Sequence, residues 1–330
     1  MSNSASQALK LKGEALKKGS ERLNVPAIFK KYISIMVLLL LVIISSTLSD
    51  AFLTQKNLFN LLRQLSGTTI VSMGMLLVIL TGGIDLSVGS IVALSGVLFA
   101  YCATFTSLPV ALLLTFVFAT LIGMLSGYFA AFQNMAPFVV TLAFMSAARG
   151  MAYIVSRGTP IPVKIRLVSI YGQGSLFSIP FPVITAFLIF LIVAFMLQYT
   201  SFGRFIQAIG SNETAVRLSG IRVNYYKWMV YTLSGFLCAF AGIISDGRTG
   251  VGSPTIGNGM EMDAIAACVI GGASLSGGRG TAINTLVGVL ILGLIGNIMN
   301  LMNIAGYPQQ VIKGIIIIVA VLLQGNRKKN

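Results

Sequence analysis

Histidine is absent from all 330 residues of this chain, and only eight carboxylates are present. The first absence excludes His-based triads, His-ligated metals and His proton switches together. The second leaves Glu14, Glu21, Asp50, Asp85, Glu213, Asp246, Glu261 and Asp263. They are too sparse to set facing acids at the centres of adjacent spans, as a proton relay requires. Three cysteines, Cys102, Cys238 and Cys268, stand singly in apolar stretches and form no CxxC or metal-ligand spacing. No G-x-x-x-x-G-K-[ST] phosphate loop occurs, so this chain does not bind ATP in the P-loop manner. Charged residues of both signs make up 9% of the chain, against about a quarter in soluble domains. A soluble fold of this size could not cover its surface with so few.

What is abundant is apolar, at 56%. The expectation is an all-α polytopic membrane protein with about ten transmembrane helices, since a span needs about 20 apolar residues. The runs fall near 32–49, 65–81, 88–105, 108–132, 137–156, 179–198, 228–246, 261–275, 281–303 and 308–324. Residues 1–31 form a basic tail, 32–325 the membrane domain, and 326–330 a second basic tail. A secretory signal would place its apolar region sooner, so the first run is read as an uncleaved span. The tail before it reads as helical around Leu9–Leu23.

The net charge of +15 is distributed in clusters. One is the N-terminal tail, one holds Arg204, Arg217, Arg222 and Lys227, and one holds Arg327, Lys328 and Lys329. An even number of spans puts all three on one side, cytoplasmic by the positive-inside rule. A nucleic-acid face would gather its cations differently. The segment 157–178 breaks the pattern, with Arg157, Lys164 and Arg166 on the other side. Its Pro160, Pro162, Gly172 and Gly174 make it either an ordered, turn-rich loop or a flexible one. A basic exterior loop also suits an acidic partner. Gly123 and Gly127 form a GxxxG motif, read as close helix packing. Tyr225, Tyr226 and Trp228 read as interfacial anchors.

Two segments share the form G-G-x-x-L-S-x-G: Gly82-Gly83-Ile84-Asp85-Leu86-Ser87-Val88-Gly89, and Gly271-Gly272-Ala273-Ser274-Leu275-Ser276-Gly277-Gly278. Their offset of 189 residues suggests an internal repeat. Two readings stand side by side. Gly-interrupted spans at matching points of two halves point to a transport pathway, with Gly82, Gly83, Asp85, Ser87, Gly271, Gly272 and Ser276 as its candidates. Alternatively the glycines are helix C-caps at the membrane edge. Asp85 is likewise either an intramembrane functional acid or a cap accepting from the N–H groups of Ser87 and Val88. Glu261 and Asp263 suit the first turn of a helix. Arg149 lies inside the fifth span, facing an interior or an acid.

The longest internal polar segment runs from Ser201 to Ile221. Residues 212–219 form one short helix with Asn212 as cap, Glu213 in the first turn, and Gly210 and Gly220 as brackets. This segment, G-R-x-x-x-A-x-G-x-N-E-x-A-x-x-x-G-I, resembles the ribose-type permeases of bacterial ABC importers. So do T-G-G-I-D-L-S-V-G-S at 81–90 and E-M-D-A-I-A-A-C-V-I-G-G-A-S-L-S-G-G-R-G at 261–280. The resemblance covers roughly residues 33–325, with Cys268 standing where members often carry Val. It implies an inner-membrane subunit that pairs with a second permease copy or paralogue. It also implies two cytoplasmic ATPase subunits that bind the ATP, and a periplasmic binding protein that delivers a monosaccharide. It further implies that 203–221 is the ATPase-coupling loop, carried by Gly203, Arg204, Ala208, Gly210, Asn212, Glu213, Ala215 and Gly220. No metal, catalytic residue or cofactor of the chain's own is expected. The competing class is a self-sufficient carrier or channel, which would need no ATPase partner; a membrane enzyme would need clustered acids or metal ligands.

Overall fold

A computed structural model describes residues 25–133 and 135–325. The expected helix near Leu9–Leu23 and the basic tail 326–330 lie outside the described residues. Thirteen helices are present among those described: α1 (Val25–Leu48), α2 (Gln55–Leu80), α3 (Val88–Cys102), α4 (Leu108–Phe132), α5 (Pro137–Ser156), α6 (Arg166–Gln173), α7 (Phe181–Tyr199), α8 (Ser201–Ser211), α9 (Glu213–Leu218), α10 (Val223–Thr249), α11 (Met260–Ile270), α12 (Ala282–Leu301) and α13 (Gly306–Gly325). Four two-residue strands accompany them: β1 (Ile161–Pro162), β2 (Ser175–Leu176), β3 (Ile179–Pro180) and β4 (Val251–Gly252).

Local chemistry sets the boundaries. Thr54 caps α2 by accepting from the Asn57 amide, and Thr281 caps α12 by accepting from Asn284. Proline stands in the first turn of α4, α5 and α7, where its missing N–H costs nothing. Six helices, α2, α4, α5, α7, α10 and α12, are long and apolar enough to cross a membrane. The chain is therefore a helical polytopic membrane protein. Burial separates its layers: 78% of the most apolar stretch of α2 and 67% of that of α10 are inside, against 22% for α4 and α5. α2 and α10 form the centre, and α4 and α5 turn an apolar face outward.

Small residues allow the tightest packing. A Cβ on Gly123 of α4 would meet the Tyr231 carbonyl and sit 3.0 Å from Gly235 Cα in α10; one on Gly127 would be 2.9 Å from the Trp228 carbonyl. The GxxxG motif is thus a helix-packing surface within the chain. α2 runs antiparallel to α10, with Gly74 against Ser234 and Gly67 against Ala241, while α3 climbs beside α10 with Gly96 against Asp246.

Two expected spans are shorter than the sequence suggests. α3 has 15 residues and α11 only 11, or about 22 Å and about 16 Å of helix. A hydrocarbon core is about 30 Å thick. The segment 157–178 is ordered rather than flexible. β1 pairs antiparallel with β4, α6 lies against α10 at Gly172 and Gly247, and β2 and β3 form a hairpin.

Candidate coupling and pathway sites

Both glycine pairs end helices; neither interrupts one. After α2, the Gly82 amide donates to the Ile79 carbonyl (2.9 Å) and Gly83 to Val78 (3.2 Å). After α11, Gly272 donates to Val269 (2.8 Å) and Ala273 to Cys268 (2.8 Å). Each pattern is a Schellman cap, and the residue with positive φ is Gly82 (82°) in one and Gly272 (88°) in the other. The equivalent residues are therefore 190 apart, one more than the written motif gives. The reason is that the second glycine of one pair aligns in space with the first of the other.

The two caps lie together, at the end of α8. The Gly278 amide donates to the Leu80 carbonyl at 3.0 Å, bonding the second cap loop to the end of α2. Gly210, in the last turn of α8, sits on this bond. A Cβ there would overlap the Leu80 carbonyl oxygen and the Gly278 amide, with Gly277 Cα at 2.9 Å. The polar loop and the two cap motifs, far apart in sequence, are one backbone-to-backbone junction. Of the pathway candidates, Gly82, Gly272 and Ser276 are exposed there, while Gly83, Asp85, Ser87 and Gly271 are buried.

Beside the first cap, Asp85 is fully buried and accepts from the Ser87 amide (3.0 Å), the Ser87 hydroxyl (2.5 Å) and the Ser234 hydroxyl of α10 (3.0 Å). Val88, expected as the second donor, is not one; the bond to Ser234 ties the 81–87 turn to α10 instead. Asp85→Ala would leave two buried hydroxyls and an amide short of an acceptor, a loss of about 1–3 kcal/mol. A thermal melt of the detergent-solubilised protein should show it. An unchanged midpoint would remove this carboxylate from the framework.

The polar loop is two helices, not one. α8 is seated on α7 at Gly203, whose Cβ would meet the Met196 and Leu197 backbone, and Ile206 and Ile209 are buried beneath it. Asn212 then caps α9, accepting from the Ala215 amide at 3.0 Å. Glu213 bridges Arg217 (2.7 Å) and Lys227 at the start of α10 (2.5 Å). Burial alone would raise the Glu213 pKa, but its bonds to Lys227 and Arg217 outweigh this and hold the carboxyl below its ordinary value. Arg204 does not join this network; it donates to Ser201 Oγ at 3.2 Å. Ala215, Arg217, Leu218 and Gly220 are exposed, so α9 presents a free surface. Phe205, Ile221, Arg222, Tyr225 and Tyr226 line a groove of about 260 Å³ beside it. Tyr225 and Tyr226, expected as membrane anchors, are thus part of this surface. Trp228 donates to the Met124 carbonyl of α4 at 3.0 Å.

The real interruption lies elsewhere. α11 ends in its cap at the α8 side and is about 16 Å long, roughly half the thickness of a hydrocarbon core. The chain reaches the start of α11 through the irregular segment 250–259. Within a bilayer, irregular backbone is tolerated only where it is buried in protein or lines a water-filled cavity. Arg149 of α5 satisfies part of it, donating from Nη1 to the carbonyls of Pro254 (2.6 Å) and Ile256 (2.9 Å). Its hydrogen-bond partners are these backbone carbonyls, and the Glu261 carboxylate at the start of α11 is close enough to interact with its charge. Glu261 and Asp263 occupy the first turn of α11, as expected. Thr255, Asn258 and Gly259 remain exposed, so this face needs protein or water against it.

The family model for the permease component of the branched-chain amino acid transport system matches residues 57–321. The chain belongs to this permease family. It is 42% identical to the ribose import permease protein RbsC of Escherichia coli over 303 residues, covering 89% of this chain and 94% of that protein. Against RbsC of Bacillus subtilis the identity is 43%, covering 97% and 100%. Against the xylose transport system permease protein XylH of Escherichia coli it is 33%, covering 86% and 88%. No solved structure matches. The permease is thus a multi-pass protein of the inner membrane, and its apolar outer helices α4, α5 and α7 are suited to lipid.

Proposed function

We propose that this permease is the membrane subunit of an ATP-driven importer that carries a monosaccharide of the ribose class. A periplasmic binding protein delivers the sugar. Two ATPase subunits bind the ATP and dock on the surface of α8 and α9, and a second permease copy or paralogue completes the pore. Ten helices, α1–α5, α7 and α10–α13, cross or enter the membrane, with both termini and the α8–α9 surface cytoplasmic. The observation that carries the coupling role is the seat of α8 on the ends of α2 and α11. A push on α9 would pass through α8 to the ends of α2 and α11. The pathway follows the open face of 250–259 and ends among the exposed cap residues Gly82, Gly272 and Ser276. Rigid-body exchange of outward and inward cavities then moves the sugar.

Co-expression with the cognate ATPase and binding protein tests this reading. The complex should copurify, and reconstituted vesicles should take up D-ribose only with ATP inside the compartment that holds α9. Glu213→Ala is expected to lower binding-protein-stimulated ATP hydrolysis about tenfold, since it frees Lys227 and Arg217 and loosens α9. Uptake without any ATPase chain would instead identify a self-sufficient carrier. Labelling of Ser211→Cys by an impermeant maleimide from the periplasmic side would overturn both topology and coupling.

A further inference from the structure

A groove of about 380 Å³ opens among α4, α6, α7 and α10, on the side of the bundle away from α8. Leu112 and Phe116 of α4, Leu167 and Tyr171 of α6, Thr185 of α7 and Phe240 of α10 line it. Its polar side chains are already satisfied. The Tyr171 hydroxyl donates to Thr185 Oγ1 at 2.8 Å, and Thr185 donates in turn to the Phe181 carbonyl at 3.2 Å. The remaining wall is hydrocarbon. α4 and α7 are both long and apolar enough to cross a membrane. Next to the lining positions they expose Leu113, Val117, Phe187 and Leu188. The groove is therefore an indentation in the lipid-facing surface of the two helices.

Apolar walls with satisfied hydroxyls hold water and polar solutes poorly. Left empty, they forfeit dispersion contacts on one side. In a bilayer the molecule at hand to restore those contacts is an acyl chain. The rim supplies a second criterion. Before α6 the chain crosses the start of α4, where Val163 is buried and Ile165 packs with Leu108 and Leu112 in one cluster. Lys164 and Arg166 alternate with these two residues and are exposed. Neither makes an ion pair or a side-chain hydrogen bond among the described residues. Two unpaired cations thus stand beside Leu167, at the edge of an apolar groove.

From this we infer that the groove is a binding site for an anionic phospholipid of the leaflet opposite α8. An acyl chain lies between α4 and α7, and Lys164 and Arg166 hold the headgroup phosphate. A zwitterionic headgroup brings its own cation beside the phosphate and gains less from the pair. The site gives the cations of 157–178 a use on the side where the positive-inside rule leaves them unexplained. The bound lipid joins α6 to α4 and α7, and α6 packs on the central helix α10 at Gly172 and Gly247. The site needs a bilayer and no particular solute, so it stands or falls apart from the sugar-importer reading.

Native mass spectrometry of the full chain tests it. The detergent-purified protein is stripped of lipid, then given equal amounts of phosphatidylglycerol and phosphatidylethanolamine with the same acyl chains. The wild type should retain one phosphatidylglycerol in about tenfold preference. Lys164→Gln with Arg166→Gln should bind the two lipids equally and melt as the wild type does, since both side chains are exposed and unpaired. Leu112→Trp fills the groove and should lose the retained lipid of either kind. Equal retention of the two lipids by the wild type overturns the site, as does an unchanged preference in the double variant. So does undiminished lipid on a folded Leu112→Trp; if that variant does not fold, the double variant decides alone. Disulfide cross-linking of Phe187→Cys between two copies of the chain would show that a second permease covers this face, and would overturn the site as well.

Discussion

Gly210→Val is expected to cut sugar uptake by the assembled transporter about 10- to 100-fold while the ATPase subunits remain bound. The estimate follows from overpacking a close contact, which costs about 1–3 kcal/mol. At Gly210 even the first added carbon overlaps the Leu80 carbonyl and the Gly278 amide. Both are backbone atoms that already bond to each other at 3.0 Å. A flexible side chain could swing aside, but two helix caps cannot do so separately. Either α8 lifts from its seat or the bond from Gly278 to Leu80 breaks. In both cases the partner's push no longer reaches α2 and α11 together. The part of the docking surface that lies on α9 keeps Ala215, Arg217 and Leu218 exposed and unaltered. The measurement is therefore a ratio, of uptake to ATP hydrolysis, in reconstituted vesicles. Leu113→Val, exposed on α4 and outside both the junction and α9, serves as the control. Wild-type uptake in Gly210→Val would show that the junction is not on the route of the coupling motion.

Much of this arrangement was legible because it rests on local chemistry. Apolar runs located the helices of the membrane domain, and Asn212 announced the start of α9 by its ability to accept from a first-turn amide. The GxxxG pair pointed to close packing, and α10 is where it packs. The misreadings share a different cause. The Gly pairs read equally as interruptions and as C-caps, and the caps are what is present; apolar residues continue on both sides, and the two hydrogen bonds and one positive φ that define a Schellman cap are not carried by composition. The irregular segment 250–259 falls between the expected spans 228–246 and 261–275 and carried no signal of its own. α11 looked long because the apolar run passes smoothly into its own cap. The polar cavity lined by Gln64, Thr68, Asp263, Asn300, Gln309 and Lys313 was invisible for a further reason. Gln64, Thr68, Asn300 and Gln309 come from three helices, and each is unremarkable on its own. Only their convergence gives them meaning, and convergence is tertiary.

Arg149 shows the same limit, and its replacement should be the most damaging single change to the membrane domain. An arginine inside an apolar helix invites a search for an acid, yet its donors go to the carbonyls of Pro254 and Ile256. Those oxygens belong to backbone that has left α10 and has not yet begun α11, so no helical amide is available to them. Hydrogen bonds to a charged donor contribute about 1.5–3 kcal/mol each. Arg149→Leu removes both and leaves two carbonyls in a place where water is scarce. The expected result is a loss of about 3 kcal/mol or more, seen as a lower melting temperature and a poor yield of assembled complex. Arg149→Lys should recover part of this, because the one nitrogen that reaches both oxygens, Nη1, can be replaced by an ammonium, while the packing of the planar guanidinium is lost. Protease or maleimide access at Asn258→Cys supplies the local readout. If 250–259 is held by Arg149, labelling at this position should rise in Arg149→Leu well before the protein as a whole unfolds. A variant that keeps wild-type melting and wild-type labelling would mean that the segment is anchored by its other contacts, chiefly Gly257 against Gly89 and Gly252 against Gly96. The entrance to α11 would then be fixed by close glycine packing, with the arginine a secondary brace.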